Sequence, residues 1–281
     1  MKRKGLSMKK TILTTAAAAA FLLAGLCGAS TTWANKSVPG DAAKKPAMKA
    51  KAPAPTTLFD LAHSEIFSPV KDGPLNYTSF YDMLKLSGEE VGVNREPVTP
   101  ARLARIRTYI IAGPVQSFTA EEVSALESFV KKGGNLLVLL HISPAVAQLT
   151  NSFGIIVSNF TLGETTGLIE GKSQDFLVTN FGAHPVTSGL EKIAVYGTWG
   201  LMANEPAMTV AATTDKAWAD MDRNRQFDKG EPRQEFGIVA VNAFGKGKVV
   251  VVADDAPFAN RFIGQADNRR LAENIIRWFR Q

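Results

Sequence analysis

Residues 108–140 hold two short apolar runs, Thr108-Tyr109-Ile110-Ile111-Ala112 and Leu136-Leu137-Val138-Leu139-Leu140, with a helical pattern between them. Neither run alternates polar with apolar residues, which is how strands covered on both faces read. The intervening Thr119-Ala120-Glu121-Glu122 spells a capping box. Val123, Leu126, Phe129 and Val130 then form one apolar stripe, and Gly133-Gly134 ends the pattern. Two buried strands joined through a helix lie side by side in parallel, with a right-handed crossover. The chain therefore needs a sheet with helices on both faces.

The flanking sequence extends this frame. Leu58 to Ala62 and Glu90 to Val93 read as strands, Tyr77 to Leu86 as a helix ending at Gly88, and Pro100 to Arg105 as a helical turn. Phe236 to Ala243 and Lys248 to Ala253 are β-rich runs around Phe244-Gly245-Lys246-Gly247, a hairpin signal. A last helix starts at Asp267 and turns Leu271, Ile275, Ile276, Trp278 and Phe279 inward. Residues 160–206 are Gly-rich and show no period. The expected fold is α/β, with a mainly parallel sheet and a β-rich second half.

The N-terminal region is of a different kind. Basic residues at Lys2, Arg3, Lys4, Lys9 and Lys10 precede an apolar run from Ile12 to Leu26, as in a secretory signal peptide. A cut after Ala34 is expected, making residues 1–34 the signal and residues 35–57, rich in Ala, Lys and Pro, a solvated linker to a domain at 58–281. The predicted location is the periplasm or the exterior. Cys27, the single cysteine, lies in the removed segment, and Leu26 before it suits a lipid-anchor signal poorly. The mature chain thus has no disulfide and no thiolate nucleophile. Of 32 Lys/Arg and 26 Asp/Glu, ten and one stand in residues 1–57, leaving 22 and 25 in the domain. The basic pI belongs to the leader and linker, so it does not argue for nucleic-acid binding.

Several pieces carry a family resemblance: Phe59-Asp60 with His63, Ile111-Ala112-Gly113-Pro114, and Phe129 through Leu137. His184-Pro185-Val186-Thr187-Ser188-Gly189-Leu190, Gly245 through Val251 and Asp267-Asn268 follow in order. In this order the chain resembles type 1 glutamine amidotransferase-like domains, related to accessory domains of gliding-motility ABC transport. The resemblance implies a flavodoxin-like sandwich. It hands over no activity, because the amidotransferase cysteine is missing from Leu140-His141-Ile142-Ser143-Pro144-Ala145.

In open α/β sheets ligands bind beyond the carboxyl ends of the strands. His63 and Glu65, His141, and Asp254, Asp255 and Asn260 all follow predicted strands and form a candidate ligand crevice. Two histidines with carboxylates are also a zinc or acid–base set. The sharpest local signal is Asp220-Met221-Asp222-Arg223-Asn224-Arg225-Gln226-Phe227-Asp228-Lys229-Gly230-Glu231. Oxygen-bearing side chains fall at positions 1 (Asp220), 3 (Asp222), 5 (Asn224), 9 (Asp228) and 12 (Glu231), and Gln226 at position 7 offers its carbonyl. This is the ligand order of an EF-hand-type Ca2+ loop, with Arg225 where glycine normally turns the chain. The flanks are strand-like, so a calcium loop inserted between strands is expected. The functional expectation is an exported, non-catalytic, calcium-binding module of the cell envelope whose crevice binds a partner protein or small ligand. The alternative is a periplasmic metal- or carboxylate-assisted hydrolase using His63, Glu65, His141 and Asp254.

Overall fold

The computed structural model describes residues 54–281. The expected signal peptide, Cys27 and most of the linker lie outside them. In chain order the first half comprises β1 (Thr57–Asp60), α1 (Thr78–Leu86), β2 (Val91–Asn94), α2 (Pro100–Leu103), β3 (Thr108–Ala112), α3 (Ala120–Lys131), β4 (Asn135–Leu139) and α4 (Ala147–Ser152). The second half comprises β5 (Ile155–Gly163), β6 (Leu168–Ile169), β7 (Lys172–Val178), β8 (Asn180–Phe181), β9 (Ile193–Tyr196), β10 (Trp199–Ala203), β11 (Met208–Ala212), β12 (Trp218–Asp220), β13 (Gly237–Phe244), β14 (Gly247–Val252) and α5 (Asn268–Phe279).

An eleven-stranded sheet runs β12-β5-β10-β13-β14-β4-β3-β1-β2, with β11 against β13 and β8 against β11. Strands β14, β4, β3, β1 and β2 are mutually parallel. The pairs β13–β14, β10–β13, β5–β10, β5–β12, β11–β13 and β8–β11 are antiparallel. A separate three-stranded sheet, β6-β7-β9, accounts for part of the stretch without period.

This corrects the expected flavodoxin-like, mainly parallel sheet. The described domain is a mixed sheet in which strands dominate, because the second-half strands run antiparallel to their neighbours. A parallel neighbour needs a crossover of a dozen or more residues, whereas a short turn forces antiparallel pairing. Gly245 and Lys246 alone connect β13 to β14, whose register pairs Phe244 with Gly247. Gly245 sits at φ +64°, and a Cβ on Gly247 would stand 2.0 Å from the Gly134 carbonyl oxygen, so both glycines are required where the hairpin meets the end of α3. Helices also reach the second half: Leu149 of α4 shares a core with Ile155 of β5, and Leu271 and Ile275 of α5 share one with Ile193 of β9 and Val239 of β13.

Over the parallel strands, alternate residues feed two cores. Ile110, Leu137 and Val250 pack with Phe80 and Leu84 of α1 and Leu271 and Ile275 of α5. Ile111, Val138 and Val251 pack with Leu126 and Val130 of α3. That double burial is why these strands read as unbroken apolar runs. The Thr119 capping box forms as spelled, with Thr119 Oγ1 accepting from Glu122 N and Glu122 Oε2 from Thr119 N. Asp267 precedes α5, yet its carboxylate accepts from Glu191 N and Lys192 N rather than capping the helix. Among the described residues, no helix is long and apolar enough to cross a membrane.

Candidate functional site

Because β1, β3, β4 and β14 are parallel, their carboxyl ends share one edge, and each delivers polar residues there. Two buried clusters form. In the first, at the end of β1, Asp60 Oδ2 lies 2.5 Å from His63 Nδ1, and Asp60 Oδ1 accepts from the Tyr109 hydroxyl at 2.7 Å. Asn94 Nδ2 donates to that hydroxyl at 2.9 Å. His63 Nε2 stands 3.3 Å from Glu122 Oε1, and the imidazole stacks on Phe118 with ring centres 3.7 Å apart. Glu122 also accepts from Val98 N. Glu65 Oε2 accepts from His63 N at 3.1 Å, while its Oε1 is buried and receives no hydrogen bond.

The charges follow from this packing. Burial works to lower His63, but the bonds to Asp60 and Glu122 outweigh it and raise its pKa. Burial first, then the facing Asp60 carboxylate, push Glu65 up to about 8. Burial opposes ionisation of Glu122, yet the backbone N–H groups of Thr119 and Val98 and the His63 ring hold its carboxyl below the usual range. A charged imidazole between two carboxylates is the form this geometry favours.

The second cluster joins β4 to β14. Asp255 Oδ2 accepts from the Tyr77 hydroxyl at 2.6 Å, and Asp255 Oδ1 lies 3.2 Å from His141 Nδ1. Gly113, after β3, sits beneath at φ +65°, where a Cβ would approach Asp255 Oδ2 to 2.8 Å. The Asp255 bond chiefly raises the His141 pKa, against burial. Phe67 stands edge-on to the half-exposed His141 ring.

The crevice residues therefore divide. His63 and Glu65 meet in one cluster, His141 and Asp255 in the other, and the two histidines share no metal-capable group. Asp254 and Asn260 serve the architecture. Asp254 is buried, and its oxygens accept from Tyr196 N at 2.6 Å and Ala256 N at 2.9 Å. Asn260 Oδ1 accepts from Ser79 N at the start of α1, and its amide nitrogen donates to Gly73 O and Thr78 Oγ1. It thus caps α1 from a distance. Replacing Asn260 with Ala should lower stability by about 1–2 kcal/mol, as for lost helix caps, measured by urea unfolding.

The loop between β12 and β13 has its own geometry. Asp220 is fully buried, its Oδ2 accepts from Gln174 Nε2 and Arg225 N, and its Oδ1 receives no hydrogen bond. One oxygen each from Asp220, Asp222 and Glu231 lie within 4.8 Å of one another. Glu231 folds back to accept from Met221 N and Asp228 N, closing the loop. Arg225 adopts φ +64°, the left-handed turn that the position-6 glycine ordinarily supplies. Asn224 donates through its amide nitrogen to Asp222 and Asp228, so giving its oxygen to a cation requires the amide to turn over.

Comparison with known proteins places the chain. A family model described as "Domain of unknown function (DUF4350)" matches residues 71–276. The chain belongs to this family. That match overturns the resemblance to glutamine amidotransferase-like and gliding-motility accessory domains: strand-end glycines and a capped helix recur wherever a parallel strand pair is built, and a glycine hairpin wherever two antiparallel strands are joined, so they do not discriminate families. A mouse protein, "Intraflagellar transport protein 52 homolog", is 27% identical over 110 residues, 37% of this chain and 25% of that protein. The chain thus spans about a quarter of that relative's length. The solved "mmIFT52 N-terminal domain" superposes with a TM-score of 0.67 at 19% identity, covering 80% of this chain and 98% of that one. A ThuA-like protein from Bacteroides uniformis aligns over 84% of this chain and 95% of its own, at 16% identity and a TM-score of 0.49. The first structural likeness supports the fold.

Proposed function

We propose that this chain is an exported, non-catalytic, calcium-binding module of the cell envelope, whose strand-edge crevice receives a partner protein or small ligand. The observation that carries the calcium reading is the buried Asp220, whose Oδ1 lacks any donor while oxygens of Asp222 and Glu231 gather beside it. A buried carboxylate oxygen without a donor is costly, and a cation at the loop removes that cost. The backbone of Arg225 meets the turn requirement ordinarily left to glycine. Export rests on the basic and apolar N-terminal sequence. The non-catalytic reading draws on the split crevice, in which Asp254 is engaged by backbone N–H groups, and on a relative named as a transport protein.

Calorimetric titration of the chain should show one Ca2+ site at about 10⁻⁴ to 10⁻³ M, as in extracellular modules. At a hundredfold excess over Kd, calcium should add about 2.7 kcal/mol of stability. Mg2+, which demands a tighter octahedral shell, should substitute poorly. Asp222→Ala and Glu231→Gln should abolish the response. A melting temperature indifferent to calcium and chelator, with no heat of binding at millimolar ion, refutes the proposal.

A further inference from the structure

We propose that Asp60, His63 and Glu65 bind a transition-metal dication of the zinc class, at a site separate from the calcium loop. Ligand atoms of the three residues lie within 4.8 Å of one another. Zinc takes imidazole nitrogen and carboxylate oxygen at about 2.0–2.2 Å, so only small side-chain rotations separate this cluster from a coordination shell. Asp60 Oδ2 and His63 Nδ1 are the atoms that must part to admit the ion.

What distinguishes the cluster from an ordinary buried ion pair is the way the outer atoms are engaged. Metal-bound histidines characteristically give their second ring N–H to a carboxylate, which fixes the tautomer. His63 Nε2 faces Glu122 Oε1, and Val98 N and Thr119 N hold that carboxylate from behind. Asp60 Oδ1 is occupied by the Tyr109 hydroxyl, itself held by Asn94, which leaves Oδ2 facing inward. Glu65 Oε2 takes His63 N, while Oε1 is buried without a donor. Each ligand thus has one atom at the centre and the other secured.

Charge points the same way. Asp60 and Glu65 face one another with a proton held on Glu65, and the His63 Nδ1 proton serves Asp60. A dication displaces both protons to solvent, and the two carboxylates then neutralise its charge. The nitrogen ligand selects the class, since calcium and magnesium take oxygen shells whereas imidazole suits zinc, copper, iron and nickel. Three protein ligands leave a fourth position for water or a ligand.

The chain has three histidines, His63, His141 and His184, so 15N-histidine labelling resolves the question. One equivalent of Zn2+ should shift Nδ1 of a single imidazole whose Nε2 proton persists. The shift should survive in His141→Gln, His184→Gln and the calcium-loop variant Glu231→Gln. In competition with a chromophoric chelator, Glu65→Gln should weaken zinc at least tenfold. Should that variant fail to fold, Glu122→Gln takes its place, with an expected loss of about 10–100-fold. The proposal is overturned if stoichiometric zinc moves no imidazole, which leaves a proton between the acids. It is also overturned if the shifted ring is lost with His141 or His184, if zinc binding disappears with Glu231, or if the folded variant binds as tightly as the parent. Because Glu231 carries the calcium reading and not this one, the two can fail separately.

Discussion

Asp60→Ala should destabilise the chain by about 3–5 kcal/mol, the range for removing one partner of a buried charged pair. Asp60 is the acceptor for both His63 Nδ1 and the Tyr109 hydroxyl, and all three residues are buried. Its removal takes away the carboxylate on which an imidazole and a phenol converge, beside the Phe118 ring. Tyr109→Phe removes a single bond to the same carboxylate and should cost about 1–2 kcal/mol. Urea unfolding in EDTA measures both without any bound cation. In the double variant the two costs should not add, because Asp60→Ala already deletes the Tyr109 bond. A loss below about 1 kcal/mol for Asp60→Ala would mean that the cluster does not behave as a buried pair.

The first-half pattern is legible in the sequence because its physics is local. A capping box, an apolar stripe and a Gly-Gly stop are read over consecutive residues, and unbroken apolar runs such as Leu136 to Leu140 record burial on both faces. The sheet as a whole is not legible in the same way. Strand direction depends on which strands become neighbours, and residues 155–244 contain strands whose partners lie far away in sequence, such as β5 beside β12 and β10. The hairpin at Phe244 to Gly247 carries that information for one pair only, and the parallel first half outweighs it. Family membership escapes for a related reason, since motifs dictated by strand–helix–strand geometry recur across unrelated sheets.

The site is half legible. The strand-edge rule finds His63, Glu65, His141 and Asp255, because it needs only the ends of strands. It misses Asp60, Tyr77, Tyr109 and Glu122. Glu122 reads fully as a capping residue, and the structure gives the same carboxylate a second task against His63. Tyr77 reaches Asp255 across 178 positions, a pairing that no local pattern encodes. Asp254 and Asn260 satisfy the same rule for another reason: loops at strand ends also need acceptors and caps for their backbone groups.

Asp254 carries the largest expected pH effect. Burial first, and then the neighbouring Asp255 carboxylate, push it up to about 8, against the bonds from Tyr196 N and Ala256 N. An unfolded aspartate titrates near about 3.9. Below that pH both states hold the proton and the contribution is complete. Between about 4 and 8 only the unfolded chain ionises, so stability falls as pH rises, and the loss ends once the folded carboxyl ionises too. A tenfold difference in proton affinity between the two states is worth about 1.4 kcal/mol, so the decline is of the order of several kcal/mol. His141, raised chiefly by its Asp255 bond, adds a smaller loss in the same direction as it deprotonates. Tyr77 stays protonated across the window because burial and Asp255 raise it well above its ordinary value. Glu65, also raised to about 8, titrates alike in parent and variant and cancels in their difference. Asp254→Asn should therefore be less stable than the parent near pH 4, by about 1 kcal/mol for the weakened backbone bond, and more stable near pH 8. The two curves of unfolding free energy against pH should cross. Parallel curves over that range would show that Asp254 is ionised in the folded chain.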